Sequence, residues 1–215
     1  SRALRWDDSG IARLGMGIPW TAPGFDDGNW LTGPLPAGHG VSGLATDLGT
    51  EMAGITPSLY LRTEFTVDPA LVEGPGELIL KVDYDDGFIA YLNGIEVARA
   101  NMGPAGHFCY SHQPAYNARP SDSPEDFNIG VAASHLVAGK NVLAIQAHNA
   151  VVDPADNKFE LSPTFRVNAS LVLADPTATI LGSGKQWSYF IGLAEPSGGI
   201  IDPVLLGGGL AFDAE

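Results

Sequence analysis

Hydrophobic and polar residues alternate with a period of two along much of the chain, and a set of strands follows from that pattern. Over residues 58–67, Leu59, Leu61, Phe65 and Val67 share one face while Tyr60, Arg62, Glu64 and Thr66 share the other. This predicts a half-buried strand with its second face in water. Residues 76–84 repeat the arrangement, with Leu78, Leu80, Val82 and Tyr84 against Ile79, Lys81 and Asp83. Residues 88–92 lead into Asn93-Gly94 and then into 95–99. Asn-Gly between two such runs predicts a type I′ hairpin, because both central positions need positive φ. Residues 141–149 and 164–173 add two long strands and 126–130 a shorter one, whereas no comparable stretch carries helical periodicity. The pattern predicts an all-β protein, a two-sheet antiparallel β-sandwich.

If each strand runs antiparallel to the one before it, the loops sort onto two ends. Residues 37–58, 85–87, 100–125 and 150–162 share one end, and 68–76, 93–94 and 131–140 share the other. The first set is longer, and long loops on a rigid scaffold are where binding residues gather. Beyond residue 174 the texture changes. Asp175-Pro176 breaks the strand, Gly182-Ser183-Gly184 reads as a linker, 186–191 reads as a strand, and a Gly- and Pro-rich stretch runs to Glu215. We therefore divide the chain into a sandwich over 1–174 and, over 175–215, a C-terminal extension or the start of a following domain. Trp187, Tyr189 and Phe190 favour an extension packed on the sandwich, since three aromatics in water are a liability.

Composition agrees with a loop-rich β protein: 45% of residues are hydrophobic and only 17% charged, with 27 Gly and 16 Pro. The net charge of −14, with no run of Lys or Arg, argues against nucleic acid, which binds through clustered cations. No apolar stretch approaches the length of a membrane span, so membrane insertion is not expected. Cys109 is the only cysteine, which excludes an internal disulfide. Ser1 is not followed by a charged segment and an apolar run, so any secretion signal is expected to lie outside this sequence.

Three segments together resemble a known family. They are Trp20-Thr21-Ala22-Pro23-Gly24-Phe25-Asp26-Asp27-Gly28-Asn29-Trp30, then Leu59-Tyr60-Leu61-Arg62-Thr63-Glu64-Phe65, then the run from Tyr84-Asp85-Asp86-Gly87 through Asn93-Gly94 to Arg99. With 139–149, they resemble the galactose-binding-like jelly rolls of large bacterial secreted proteins, and are similar to the sugar-binding sandwich domain of family 2 glycoside hydrolases. The likeness covers most of residues 5–173 and implies a jelly-roll fold. It also implies an extracellular or cell-surface accessory module, often carbohydrate-binding and often holding a structural Ca²⁺. The same residues have structural readings: Trp20, Phe25 and Trp30 as plugs of the core, Asp26 and Asp27 as turn caps, and Asp85-Asp86-Gly87 as a tight connection.

Candidate chemistry clusters at the long-loop end. Asp85 and Asp86 are paired carboxylates, but neighbours in a turn do not face each other across a sugar as hydrolysis requires. Hydrogen bonding to a sugar suits them better than catalysis, and no nucleophile elbow, HExxH helix or phosphate loop is present. No enzymatic activity is expected. Tyr110, His112, Tyr116 and Arg119 suit a sugar site, with rings for the C–H faces of a pyranose and polar groups for its hydroxyls. His148 and Asn149 enter the same end from the 141–149 strand. Asp153, Asp156 and Glu160 are candidate Ca²⁺ ligands, as are Asp47 and Glu51 in another loop, although the spacing of an EF-hand is missing. His107, Cys109 and His112 are a weaker candidate for a transition metal. Asn168-Ala169-Ser170 is a formal glycosylation sequon inside a predicted strand. The expected partner is a carbohydrate or, alternatively, a neighbouring protein module in a cell-surface or filamentous assembly.

Overall fold

The computed structural model describes residues 5–6, 12–13, 18–120, 124–152, 160–174, 178–182 and 184–196. Its strands in chain order begin with β1 (Arg5–Trp6), β2 (Ala12–Arg13), β3 (Leu31–Pro34), β4 (Ala37–His39) and β5 (Thr46–Asp47). Then come β6 (Ser58–Val67), β7 (Glu77–Asp85), β8 (Gly87–Leu92), β9 (Ile95–Ala100), β10 (Glu125–Val131) and β11 (Gly139–His148). β12 (Val151–Val152), β13 (Glu160–Leu161), β14 (Phe165–Leu173), β15 (Ala178–Leu181) and β16 (Gln186–Ile191) complete the set. Two short helices, α1 (Gly49–Met52) and α2 (Pro69–Glu73), lie in loops. In α2 the Asp68 carboxylate caps the Ala70 N–H at 2.8 Å and Pro69 opens the first turn.

The main strands form two sheets. Sheet I has the order β10-β7-β14-β4-β5, with β15 also paired to β14; sheet II has the order β3-β16-β6-β11-β8-β9. β1 with β2 and β12 with β13 form separate two-stranded ribbons. The ladders are antiparallel except between β4 and β5, which run parallel over two residues. The protein is therefore an all-β, two-sheet sandwich, as the alternation predicts. Leu59, Leu61, Phe88, Leu143 and Ile145 of sheet II meet Leu78, Leu80, Val82, Phe165 and Leu171 of sheet I in one buried core. Each such side chain stabilises the fold by roughly 1.5–3 kcal/mol relative to exposure. At the predicted hairpin, Asn93 and Gly94 have φ of 54° and 88°. The Asn93 carboxamide also accepts from Val142 N at 2.9 Å and donates to Asn141 Oδ1 at 2.8 Å, tying the turn to β11.

Sheet II departs from the predicted pattern. β14 of sheet I alternates strictly between buried and half-buried positions, but β6 is buried at Tyr60 and Arg62, both expected to face water. A second layer explains the difference: Trp20, Tyr60, Val142 and Ala144 form a cluster on the outer face of sheet II, with Phe25, Trp30, Tyr91 and Phe190 packed against it. Trp20, Phe25 and Trp30 thus cover this outer face rather than plugging the space between the sheets. Arg62, only 1% exposed, fastens the cover. Its Nε and Nη2 donate to the carbonyls of Trp20 and Ala22, each at 3.1 Å, and its Nη1 to Asp27 at 3.0 Å.

Beyond residue 174, the described part belongs to the sandwich. β15 extends sheet I, and β16 lies inside sheet II between β3 and β6, with Trp187 fully buried in the main core.

Candidate functional site

The chain passes from β7 in sheet I to β8 in sheet II through Asp86, so this residue sits where the two sheets meet at the long-loop end. Asp86 is buried and uses all four of its polar atoms. Its N–H donates to His148 O at 3.1 Å, and its carbonyl accepts from Asn101 Nδ2 at 3.1 Å. Its Oδ1 accepts from Arg119 N and its Oδ2 from Ala150 N, both at 2.6 Å. One side chain thereby gathers the roots of the 101–120 and 149–162 loops. Asp85 is buried beside it, within hydrogen-bonding reach of the Asp86 carboxylate and the Thr164 hydroxyl. Burial first, then the bond to and charge of Asp86, push the Asp85 carboxyl up to about 7.

Close approach of the 101–120 loop requires a residue without a side chain at position 87. A Cβ on Gly87 would lie 2.9 Å from Met102 Sδ and 3.0 Å from Ala115 Cβ. With Ile89, Cys109 and Ala150, these residues make a further apolar cluster under the loop. Of the residues predicted to bind ligand, Arg119 is committed to this scaffold. Its guanidinium donates to Tyr84 O and Glu125 Oε1, each at 2.6 Å, and lies 4.0 Å from the Tyr84 ring centre. His148 and Asn149 are fully buried. His148 Nδ1 meets Gln113 O at 2.6 Å, and burial pushes its imidazole down to about 4, so it is neutral at ordinary pH. Asn149 donates to Ser162 O at 2.9 Å. Asp86, Arg119, His148 and Asn149 are thus brought together as the loop foundation rather than as an open surface.

The open surface is the segment above them. From 108 to 112 the side chains alternate: Phe108 and His112 are exposed and Tyr110 between them is half-buried, while Cys109 and Ser111 are buried. The Phe108 and Tyr110 rings lie 5.1 Å apart, nearly perpendicular, and Tyr110 and His112 lie 5.3 Å apart, tilted by 36°. The backbone beneath is anchored at Cys109 and Ser111. Gln146 Nε2 donates to Cys109 O at 2.9 Å, Ser58 Oγ to Ser111 O at 2.5 Å, and Ser111 N to Glu195 Oε1 at 2.7 Å. Glu195 also accepts from Tyr60 Oη at 3.1 Å, and that oxygen in turn accepts from Gln146 Nε2 at 3.1 Å. Arg99, held by Glu96, donates to Met102 O and His107 O, each at 2.7 Å. Tyr116, 60% exposed, crosses Gly103, whose Cβ would stand 2.6 Å from the tyrosine oxygen.

Sequence reasoning missed Phe108 as a member of the exposed row, and missed Gln146 and Glu195 as its anchors. Period-two alternation over 107–112 was the available signal for Phe108. Nothing local marks Glu195, because its partners lie far away in sequence.

The transition-metal candidates do not come together. Cys109 faces inward, its thiol pushed up by burial, while His107 and His112 are exposed, so the three do not converge. Glu160 is exposed on β13, and Asp153 and Asp156 lie outside the described residues. Among the described residues no group of three or more His, Cys, Asp or Glu is placed to hold a metal ion. No helix among them is long and apolar enough to cross a membrane.

No family model matches the sequence, and no curated protein matches it. Similar solved structures are glycoside hydrolase chains. The α-L-rhamnosidase of Aspergillus terreus is 14% identical, over 63% of this chain and 15% of that one, with a TM-score of 0.38. The β-glucuronidase of Bifidobacterium dentium is 19% identical, over 64% and 22%, with a TM-score of 0.35. The α-L-rhamnosidase of Dictyoglomus thermophilum is 10% identical, over 86% and 20%, with a TM-score of 0.39. This chain thus spans less than a quarter of each of those proteins, and likeness at this level carries no argument about its activity.

Proposed function

We propose that this chain is a non-catalytic accessory module of an extracellular multidomain protein, a galactose-binding-like jelly roll that holds a carbohydrate on the 101–120 loop. The observation that carries this reading is the outward row Phe108, Tyr110 and His112 on a backbone fixed from below by Gln146, Ser58 and Glu195. Rings held in place before a ligand arrives lose little freedom on binding, and aromatic faces suit the C–H faces of a pyranose. The net charge of −14 favours a neutral glycan over an acidic one. The buried state of Asp85 and Asp86, and the commitment of both Asp86 oxygens to backbone N–H groups, support a role in fixing loops rather than in hydrolysis.

The test is a glycan-array screen with added Ca²⁺ and with chelator, followed by calorimetry on the best neutral glycan. Phe108→Ala is expected to weaken binding about tenfold, the worth of one ring contact, with little change in melting temperature. Binding that survives the loss of both Phe108 and Tyr110 would overturn the site. Silence on every glycan, together with self-association in light scattering, would instead assign the chain to an assembly of neighbouring copies.

A further inference from the structure

We propose that Asp85 and Asp86 form a proton-held latch, which fastens the 101–120 loop to the sandwich at acid pH and loosens it as the pH rises through neutrality. This bears on the regulation of the surface assigned above, but its test uses no sugar, so either idea can fail without the other.

The geometry begins with two buried carboxyl groups in hydrogen-bonding reach of each other. Two charges there repel in a poorly solvated site, whereas a single proton shared between them turns repulsion into a hydrogen bond. Asp85 is the member that keeps the proton, because burial and the neighbouring carboxylate both oppose its ionisation. It donates to Asp86, whose oxygens, with two lone pairs each, still accept from Arg119 N and Ala150 N. Those two N–H groups belong to different loops, so the state of the pair is transmitted directly to both roots.

The surrounding charged groups do little to offset a second negative charge. The Arg119 guanidinium, from the loop itself, favours ionisation of Asp85 but is already paired with Glu125 of β10 at 2.6 Å. Arg166, the register partner of Asp85 on β14, is paired with Asp83 of β7 at 2.8 Å. His148, at the end of β11, is held neutral with Nδ1 on Gln113 O, and Thr164 supplies only a hydroxyl. When Asp85 loses its proton, the pair relieves the repulsion by separating. Asp86 cannot move without disturbing Arg119 N and Ala150 N, so both roots loosen together.

Carbon-detected NMR titration of the whole chain from about pH 5 to about pH 9 tests the latch. The Asp85 carboxyl is expected to titrate with a midpoint near 7, and the amide signals of Arg119 and Ala150 to shift with the same midpoint. Hydrogen-exchange protection of those two amides, corrected for intrinsic base catalysis, should fall about tenfold or more across that midpoint while Ile145 stays protected. Asp85→Asn keeps a neutral hydrogen-bonding group and should hold the protection flat. An Asp85 midpoint in the ordinary carboxylate range, or constant protection in the wild type, would overturn the latch. A folded Asp85→Asn protein that loses protection as the wild type does would overturn it equally, and if that variant does not fold the wild-type titration decides alone.

Discussion

The two outer faces of the sandwich began from the same alternating code and ended differently. On sheet I the outward residues stay polar and partly wet, joined by pairs such as Lys81 with Asp126 at 2.6 Å and Arg166 with Asp83 at 2.8 Å. On sheet II the outward residues are roofed, by residues 18–30 on one part and by the 101–120 loop on another. A polar residue therefore has a different task on each face. Lys81 pairs directly with a neighbour while both stay in contact with solvent, whereas Arg62 replaces water altogether and satisfies two carbonyls and a carboxylate in a dry layer. The roofed face is also where the chain can hold irregular backbone rigidly, since buried side chains such as Gln146 reach up to satisfy it.

The sharpest way to break this comparison is to remove one cation from each face. Arg62→Ala is expected to destabilise the fold by about 3–5 kcal/mol, because it strands buried acceptors and frees the Trp20 cover. Chemical denaturation measures it; a loss under about 1 kcal/mol would mean that the cover contributes little.

A second test separates the two titrating groups at the loop foundation. Asp85, raised in the folded state, costs stability as the pH climbs from about 4 to about 7, whereas His148, lowered, costs stability as the pH drops from about 6.5 to about 4. Over their shared window the two slopes oppose each other and largely cancel. His39, also pushed down by burial, acts in the same direction as His148. Asp85→Asn removes one side of the balance. Its unfolding free energy should therefore rise with pH relative to wild type, by up to about 1.4 kcal/mol per pH unit between about pH 4 and 6.5. Parallel profiles for the two proteins would contradict the assignment.

The smallest effect belongs to the open face. Lys81→Ala should cost under about 1 kcal/mol, and a double-mutant cycle with Asp126→Ala should find a coupling of the same order that fades in salt.

These contrasts also explain what was legible in the sequence. β14 could be read as a strand and the first half of β7 almost residue by residue, because a strand with one wet face writes its environment in alternation; Asp83, placed on the wet face of β7, is instead buried. Asn93-Gly94 was equally plain, since positive φ at two positions admits few residue types. The outward burial of Tyr60 and Arg62 was hidden: a strand cannot announce that a distant segment will cover it. The same limit applied to the site. Asp86, Arg119, His148 and Asn149 were picked out as chemically notable and do converge, but their polar atoms are turned toward backbone groups of loops that the sequence alone could not place. The 31–47 strands were missed because they are short and rich in Gly and Pro; β16 reads as a strand from its sequence, but its place between β3 and β6 does not, because those neighbours lie far back in the chain.

That last placement has a consequence for how the molecule comes into being. Among the described residues β3 has a single ladder partner, and that partner is β16, so an early strand depends on a late one for its ladder. In sheet II a late strand lies between two early ones rather than at the margin. The flank of β6 is thus closed only by contacts of long sequence separation, the kind that slow folding, and until they form that edge is open to unwanted strand pairing.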